Sequence, residues 1–147
     1  MSTPIKLLLA LALLLALTMV NVPIASACSC VSWNSASAAL GVSTAVFAGK
    51  VIDRKIVDSL ASDDAVQVTF QTSTVWKGPV KKNLIATTAL DSAACGYNFQ
   101  VGQKYLVFAN GNENQLHVSL CSLTKPLAQA EKDLAELGNG ILLPIEN

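Results

Sequence analysis

Four cysteines and one histidine are the residues of this 147-residue chain best suited to chemistry: Cys28, Cys30, Cys95, Cys121 and His117. A dithiol redox centre would show Cys-x-x-Cys, and a zinc site would show Cys or His pairs at ligand spacing. Neither pattern occurs, so no metal or cofactor is expected in the chain itself. Four cysteines allow three pairings. Cys28 and Cys30 are one residue apart and would close a very tight ring, so both are expected to reach out to Cys95 and Cys121. Which pairs with which stays open at this point. Each bridge would close a long loop, worth roughly 4 kcal/mol in the chain-entropy model, with overlapping loops adding less than fully. His117 lies in the alternating run Gln115 to Leu120 and reads as a strand residue facing solvent or a neighbour. There is no Ser/His/Asp spacing and no Gly-rich phosphate loop, and Asp63-Asp64 fall in an expected loop. The chain does not read as an enzyme.

The cysteines begin where an apolar leader ends. Lys6 supplies a positive start, Leu7 to Val20 an apolar stretch, Pro23 a break, and Ala25-Ser26-Ala27 small residues before a cleavage point. Residues 1–27 read as a secretory signal peptide, too short to span a membrane, where roughly 20 apolar residues are needed. Cleavage after Ala27 makes Cys28 the mature N-terminus, in an exported setting where disulfides persist. A small residue before Cys is also read by lipoprotein peptidases, although Ala25 stands where they prefer Leu. A lipid anchor at Cys28 is therefore the competing outcome.

The leader also explains the composition. The chain is 52% hydrophobic and 14% charged, with a mean hydropathy of +0.47. Yet 19 of the first 27 residues are apolar, which leaves residues 28–147 about 48% apolar, an ordinary globular value. Those residues suit one domain, expected to be monomeric. Ten basic and ten acidic residues balance, with no basic run, which excludes an electrostatic footprint for nucleic acid.

The cysteines need a frame to hold them. Asn34 to Gly41 predicts a short helix capped by Asn34 or Ser35 and stopped at Gly41. Strands are expected over Thr44 to Ile52, Ala65 to Trp76, Leu84 to Thr88, Tyr105 to Ala109 and Leu116 to Leu120. The second is the clearest: Val66, Val68, Phe70, Thr72, Thr74 and Trp76 alternate with Gln67, Thr69, Gln71, Ser73 and Val75. Asp53 to Asp64 reads as a loop or strand edge, Lys77-Gly78-Pro79 and Lys81-Lys82 as turns, and Asn110-Gly111-Asn112 as a hairpin turn. Phe70 and Trp76 are expected in the core and Trp33 packed behind the cystines. Pro126, Leu127, Ala130, Leu134, Leu137 and Gly138 predict a last helix, with Glu131, Lys132, Asp133 and Glu136 on its outer face. Five strands and a helix predict an all-β fold: a five-stranded OB-fold-like closed barrel with the C-terminal helix packed outside and a disulfide-stapled N-terminal segment.

Cys28-Ser29-Cys30, Val75-Trp76-Lys77-Gly78, Ala94-Cys95-Gly96-Tyr97 and Leu116-His117-Val118-Ser119-Leu120-Cys121 together resemble the N-terminal, netrin-like domain of the tissue inhibitors of metalloproteinases. Their order and spacing match over nearly all of 28–147. The resemblance implies the five-stranded OB-fold and the pairs Cys28–Cys95 and Cys30–Cys121. It also implies a zinc metalloprotease as partner. The α-amine and carbonyl of Cys28 would chelate that protease's zinc, and Ser29 would enter the pocket beside it. Cys30 and Val31 would continue along the cleft, with Ala93 and Ala94 as the second half of the contact ridge. Two departures stand out: the third cysteine pair of that domain has no counterpart, and Ser32 stands where those inhibitors usually have Pro. Netrin-like modules of other extracellular proteins use the same barrel without a protease partner. A cell-envelope or extracellular interaction module is thus the alternative reading.

Overall fold

The computed structural model describes residues 28–57 and 66–144; the leader and the Asp63-Asp64 pair lie outside them. In chain order the elements are α1 (Ala36–Val42), β1 (Ala45–Ile56), β2 (Val66–Lys77), β3 (Asn83–Thr88), β4 (Lys104–Asn112), β5 (Gln115–His117), β6 (Lys125–Pro126), a 3-10 turn (Leu127–Gln129), α2 (Glu131–Leu137) and β7 (Ile141–Leu142). The strands run β1-β2-β3-β5-β4, and β1 pairs again with β4, so five strands close a barrel. All closing pairs are antiparallel except β3 with β5. This is the OB-fold order, and the short β6 and β7 add to β4 and β2 from outside.

Closure falls to β1. Its pairing with β2 shifts register between Val46 and Phe47, Ala48 and Gly49, and Val51 and Asp53. Bulges of this kind bend a strand and raise its twist. The bend lets residues 45–50 pair with β4 on one edge while Val46 to Ile56 pair with β2 on the other.

Two cores share β1 and β4. Phe47, Val51, Phe70, Tyr105, Val107 and Leu116 fill the barrel. Val46, Leu106 and Phe108, the alternate residues, point outward and are buried under Ala36, Ala39 and Ala130, with Trp33, Trp76, Leu127, Leu134 and Leu137 around them. Strands covered on both faces read as continuous apolar runs, which is why Tyr105 to Ala109 lacks alternation. Burying each large side chain contributes on the order of 1.5–3 kcal/mol. The barrel interior is an aromatic ladder: Phe47 on Phe70, Phe70 on Phe99, and Phe99 on Tyr105, edge to face with ring centres 5.0–5.3 Å apart.

Several boundaries differ from expectation. Asn110, Gly111 and Asn112 continue β4, and the turn is Glu113-Asn114, whose backbone N–H of Asn114 and that of Gln115 both donate to Asn112 Oδ1 at 3.0 Å. The side chain closes the hairpin and moves the turn two residues on. β5 stops at His117, because Ser119 leaves the barrel to bridge Gly96. α1 runs through Gly41 to Val42, with Ser35 as N-cap: its Oγ accepts from Ala38 N at 3.0 Å. Pro126 belongs to β6, and α2 begins only at Glu131, ending on Gly138 at φ 66. Trp76 is half-buried against the outer core, its indole N–H donating to the Gly138 carbonyl at 2.8 Å.

Two predictions follow from the barrel interior. Thr72 Oγ1 is buried with no hydrogen-bond partner. Thr72→Val keeps the shape and removes the stranded hydroxyl, so stability in denaturant unfolding should rise by about 1 kcal/mol. The Tyr97 phenol is pushed up to about 12 by burial and, second, by neighbouring Tyr105. The unfolded chain therefore loses that proton first, near pH 10, and stability should fall as pH rises from 10 to 12. Tyr97→Phe should flatten that decline in unfolding measured across the same range.

Candidate functional site

The segment from Cys28 to Asn34 has no regular structure and is tied to the barrel twice. Cys28 is bonded to Cys95 and Cys30 to Cys121, with Cα separations of 5.6 and 5.0 Å. The bridges span 67 and 91 residues of sequence. Loops of that length remove substantial freedom from the unfolded chain, roughly 4 kcal/mol for one bridge alone.

The two anchor cysteines are themselves held together. Leu120 N–H donates to the Cys95 carbonyl at 2.7 Å, one residue before Cys121, and Gly96 forms a bridge with Ser119. Asp91 builds the turn that presents Cys95. Its Oδ1 accepts from Ala94 N at 3.0 Å and its carbonyl from Gly96 N at 2.8 Å. An Asp closing its own turn in this way is a known device. Cys95 adopts φ 63, the left-handed region that a non-glycine residue occupies only when its surroundings hold it there. Gly96 is required by space, since a Cβ there would overlap the Ala89 carbonyl.

This arrangement lays two chain segments side by side. Cys28 Sγ sits 3.4 Å from the Ser92 carbonyl oxygen and 3.9 Å from that of Ala93. Bonded to Cys95, that sulfur carries no proton, so these are packing contacts. Cys28 is half-buried, whereas Ser29, Cys30, Val31, Ala93 and Ala94 are exposed, Val31 to 72%. Beneath the segment, Trp33 packs on the outer core. Ser29, Val31, Trp33 and Phe108 border a cavity of about 220 Å³ there.

Charges fix the helix that follows. Glu136 Oε2 accepts from Ala36 N at 2.8 Å at the start of α1, and Lys77 Nζ donates to the Leu40 and Gly41 carbonyls at its end. Each sign complements the helix dipole. Asp133 pairs with Lys125 at 2.7 Å. Glu136 and Asp133 therefore do not belong to a solvated outer face: α2 turns them toward its neighbours. Sequence reasoning missed Glu136, Lys77 and Asp91. Only Asp91, ahead of a small-residue turn, carried a local signal.

All four cysteines are in disulfides. No group of three or more His, Cys, Asp or Glu among the described residues could hold a metal ion. None of their helices is long and apolar enough to cross a membrane. His117 lies in β5, opposite Asn110 of β4 and Thr87 of β3.

Gly96→Ala should force the Cys95 turn away from Ala89 and cost about 1–3 kcal/mol in denaturant unfolding, the usual range for overpacking.

A family model described as tissue inhibitor of metalloproteinase covers residues 26–133, from just before Cys28 to the middle of α2. No curated protein matches the chain.

Proposed function

Because the chain belongs to the tissue inhibitor of metalloproteinase family, we propose that it inhibits zinc metalloproteases, using the α-amine and carbonyl oxygen of Cys28 as zinc ligands. The observation that carries this reading is the double tether. Two disulfides hold Cys28 and Cys30 against the barrel, Cys28 Sγ packs on the Ser92 and Ala93 carbonyls, and Ser29, Val31, Ala93 and Ala94 are exposed.

The chemistry starts from the protease. Its catalytic zinc has three protein ligands and an open position occupied by water. Export and cleavage after Ala27 free the Cys28 amine. The amine and the Cys28 carbonyl oxygen then take the water's place, and the nucleophile of hydrolysis is lost. Ser29 enters the adjoining specificity pocket, a short hydroxyl side chain that suits a shallow or polar one. Val31 and Ala93-Ala94 fill the cleft on either side. Because the disulfides order this edge beforehand, docking loses little conformational entropy. The chain acts here as a ligand for another protein's metal, and not as an enzyme.

The amine must be neutral to bind. With an ordinary terminal pKa of about 7.7–8.0, the competent fraction falls about ten-fold for each pH unit below that range. Inhibition constants measured between pH 8 and pH 6 should weaken accordingly, once corrected for the protease's own profile.

The direct test compares protein beginning at Cys28 with a version carrying one extra N-terminal Ala, against a panel of zinc proteases. The extension should abolish inhibition while leaving thermal unfolding unchanged. Equal inhibition by both forms would sink the chelation mechanism. Intact mass showing an acylated Cys28 would do the same and favour a lipid-anchored netrin-like interaction module instead.

A further inference from the structure

We propose that a second site, on the outer face of the barrel, binds an uncharged oligosaccharide. The groove there has a volume of about 420 Å³, within the usual range of ligand clefts. It runs over β2 and β3 to the β4–β5 hairpin and is lined by Gln67, Thr87, Asn112, Asn114, Gln115 and His117.

Its chemistry is neutral and dense in hydrogen-bonding groups: four side-chain amides, a hydroxyl and an imidazole, with Ile85 as an exposed apolar patch for the face of a sugar ring. Among the described residues no Lys, Arg, Asp or Glu lines it. A phosphate or sulfate polymer would find no counter-charge, whereas a polyol needs none. Two of the groups are oriented in advance. Asn112 Oδ1 already accepts from Asn114 N and Gln115 N, so its amide NH₂ is directed away from the turn as a donor. Thr87 Oγ1 donates to the Leu116 carbonyl at 3.3 Å, which fixes the direction of its hydroxyl at the floor of the groove. Placement agrees with the chemistry, because OB barrels take oligonucleotides or oligosaccharides on the strand 2–3 face and the loop between strands 4 and 5. The balanced charge of this chain selects the second class.

The test is amide chemical-shift mapping of the ¹⁵N-labelled protein with maltohexaose, cellohexaose, chitohexaose and xylohexaose, and with a heparin hexasaccharide as the anionic probe. At least one neutral sugar should shift Gln67, Thr87 and 112–117 and leave 28–31 and 93–95 unmoved. Asn112→Asp keeps the oxygen that closes the hairpin but replaces the donating NH₂, and Gln115→Ala removes an exposed amide. Each should weaken binding about ten-fold, the equivalent of roughly one good hydrogen bond, with the rest of the spectrum preserved. The N-terminally extended protein should bind the sugar as the parent does, separating this site from protease inhibition. No response to any neutral sugar, a stronger response to heparin, or undiminished binding by both variants would overturn the proposal.

Discussion

Everything in this molecule hangs on β1 being buried from both sides. Its bulges let one strand pair with β2 and β4 together, which closes the barrel. The same strand sends Phe47 and Val51 inward and Val46 outward. The outward residue, with Leu106 and Phe108 of β4, gives α1 and α2 their only extensive apolar footing among the described residues. Without that outer layer, α1 has seven residues and little reason to be helical in isolation. The N-terminal edge thus inherits its position from the barrel through α1 on one side and through the cystines on the other.

The two restraints differ in kind. The disulfides act chiefly on the unfolded chain, by closing loops of 67 and 91 residues, and fix points on the edge. The charge contacts act on orientation. Glu136 at one end of α1 and Lys77 at the other set the helix between α2 and the end of β2. They complement its dipole, though partly exposed charges of this sort contribute only a fraction of a kcal/mol to about 1 kcal/mol each. Their value is geometric, because α1 follows directly on Trp33 and the edge.

How legible this was depends on the range of the interaction concerned. Strand β2 could be read at once, since one face is buried and Val66, Val68 and Phe70 alternate with Gln67, Thr69 and Gln71. β4 hid its alternation under burial on both faces. The hairpin after it was misplaced by two residues, because Asn-Gly is a strong turn signal and the Asn112 side chain overrode it. The end of β5 was misjudged for a longer-range reason: Ser119 is drawn off to Gly96 by the cystine anchors. On the edge itself, residue type and spacing limited the disulfide partners without choosing between pairings, and family likeness made the choice. Contacts spanning a hundred residues, such as Ala36 with Glu136, leave no local pattern at all.

That same distinction bears on function. An edge able to chelate a metal must be exposed to reach it and yet rigid enough to bind without reordering, and exposed irregular chain is ordinarily neither anchored nor ordered. For the function proposed above, that conflict is met by restraints that lie beneath the surface. The Cys95 turn is closed by Asp91 and by the close approach of Gly96 to Ala89, and the Leu120–Cys95 hydrogen bond joins the two anchors. Small residues then complete the edge: Ser29, Ala93 and Ala94 present little beyond backbone. An edge built this way presents shape and main-chain atoms more than side-chain chemistry, and among the described residues no group of metal-binding side chains marks it, so the function proposed for it leaves no such cluster to search for.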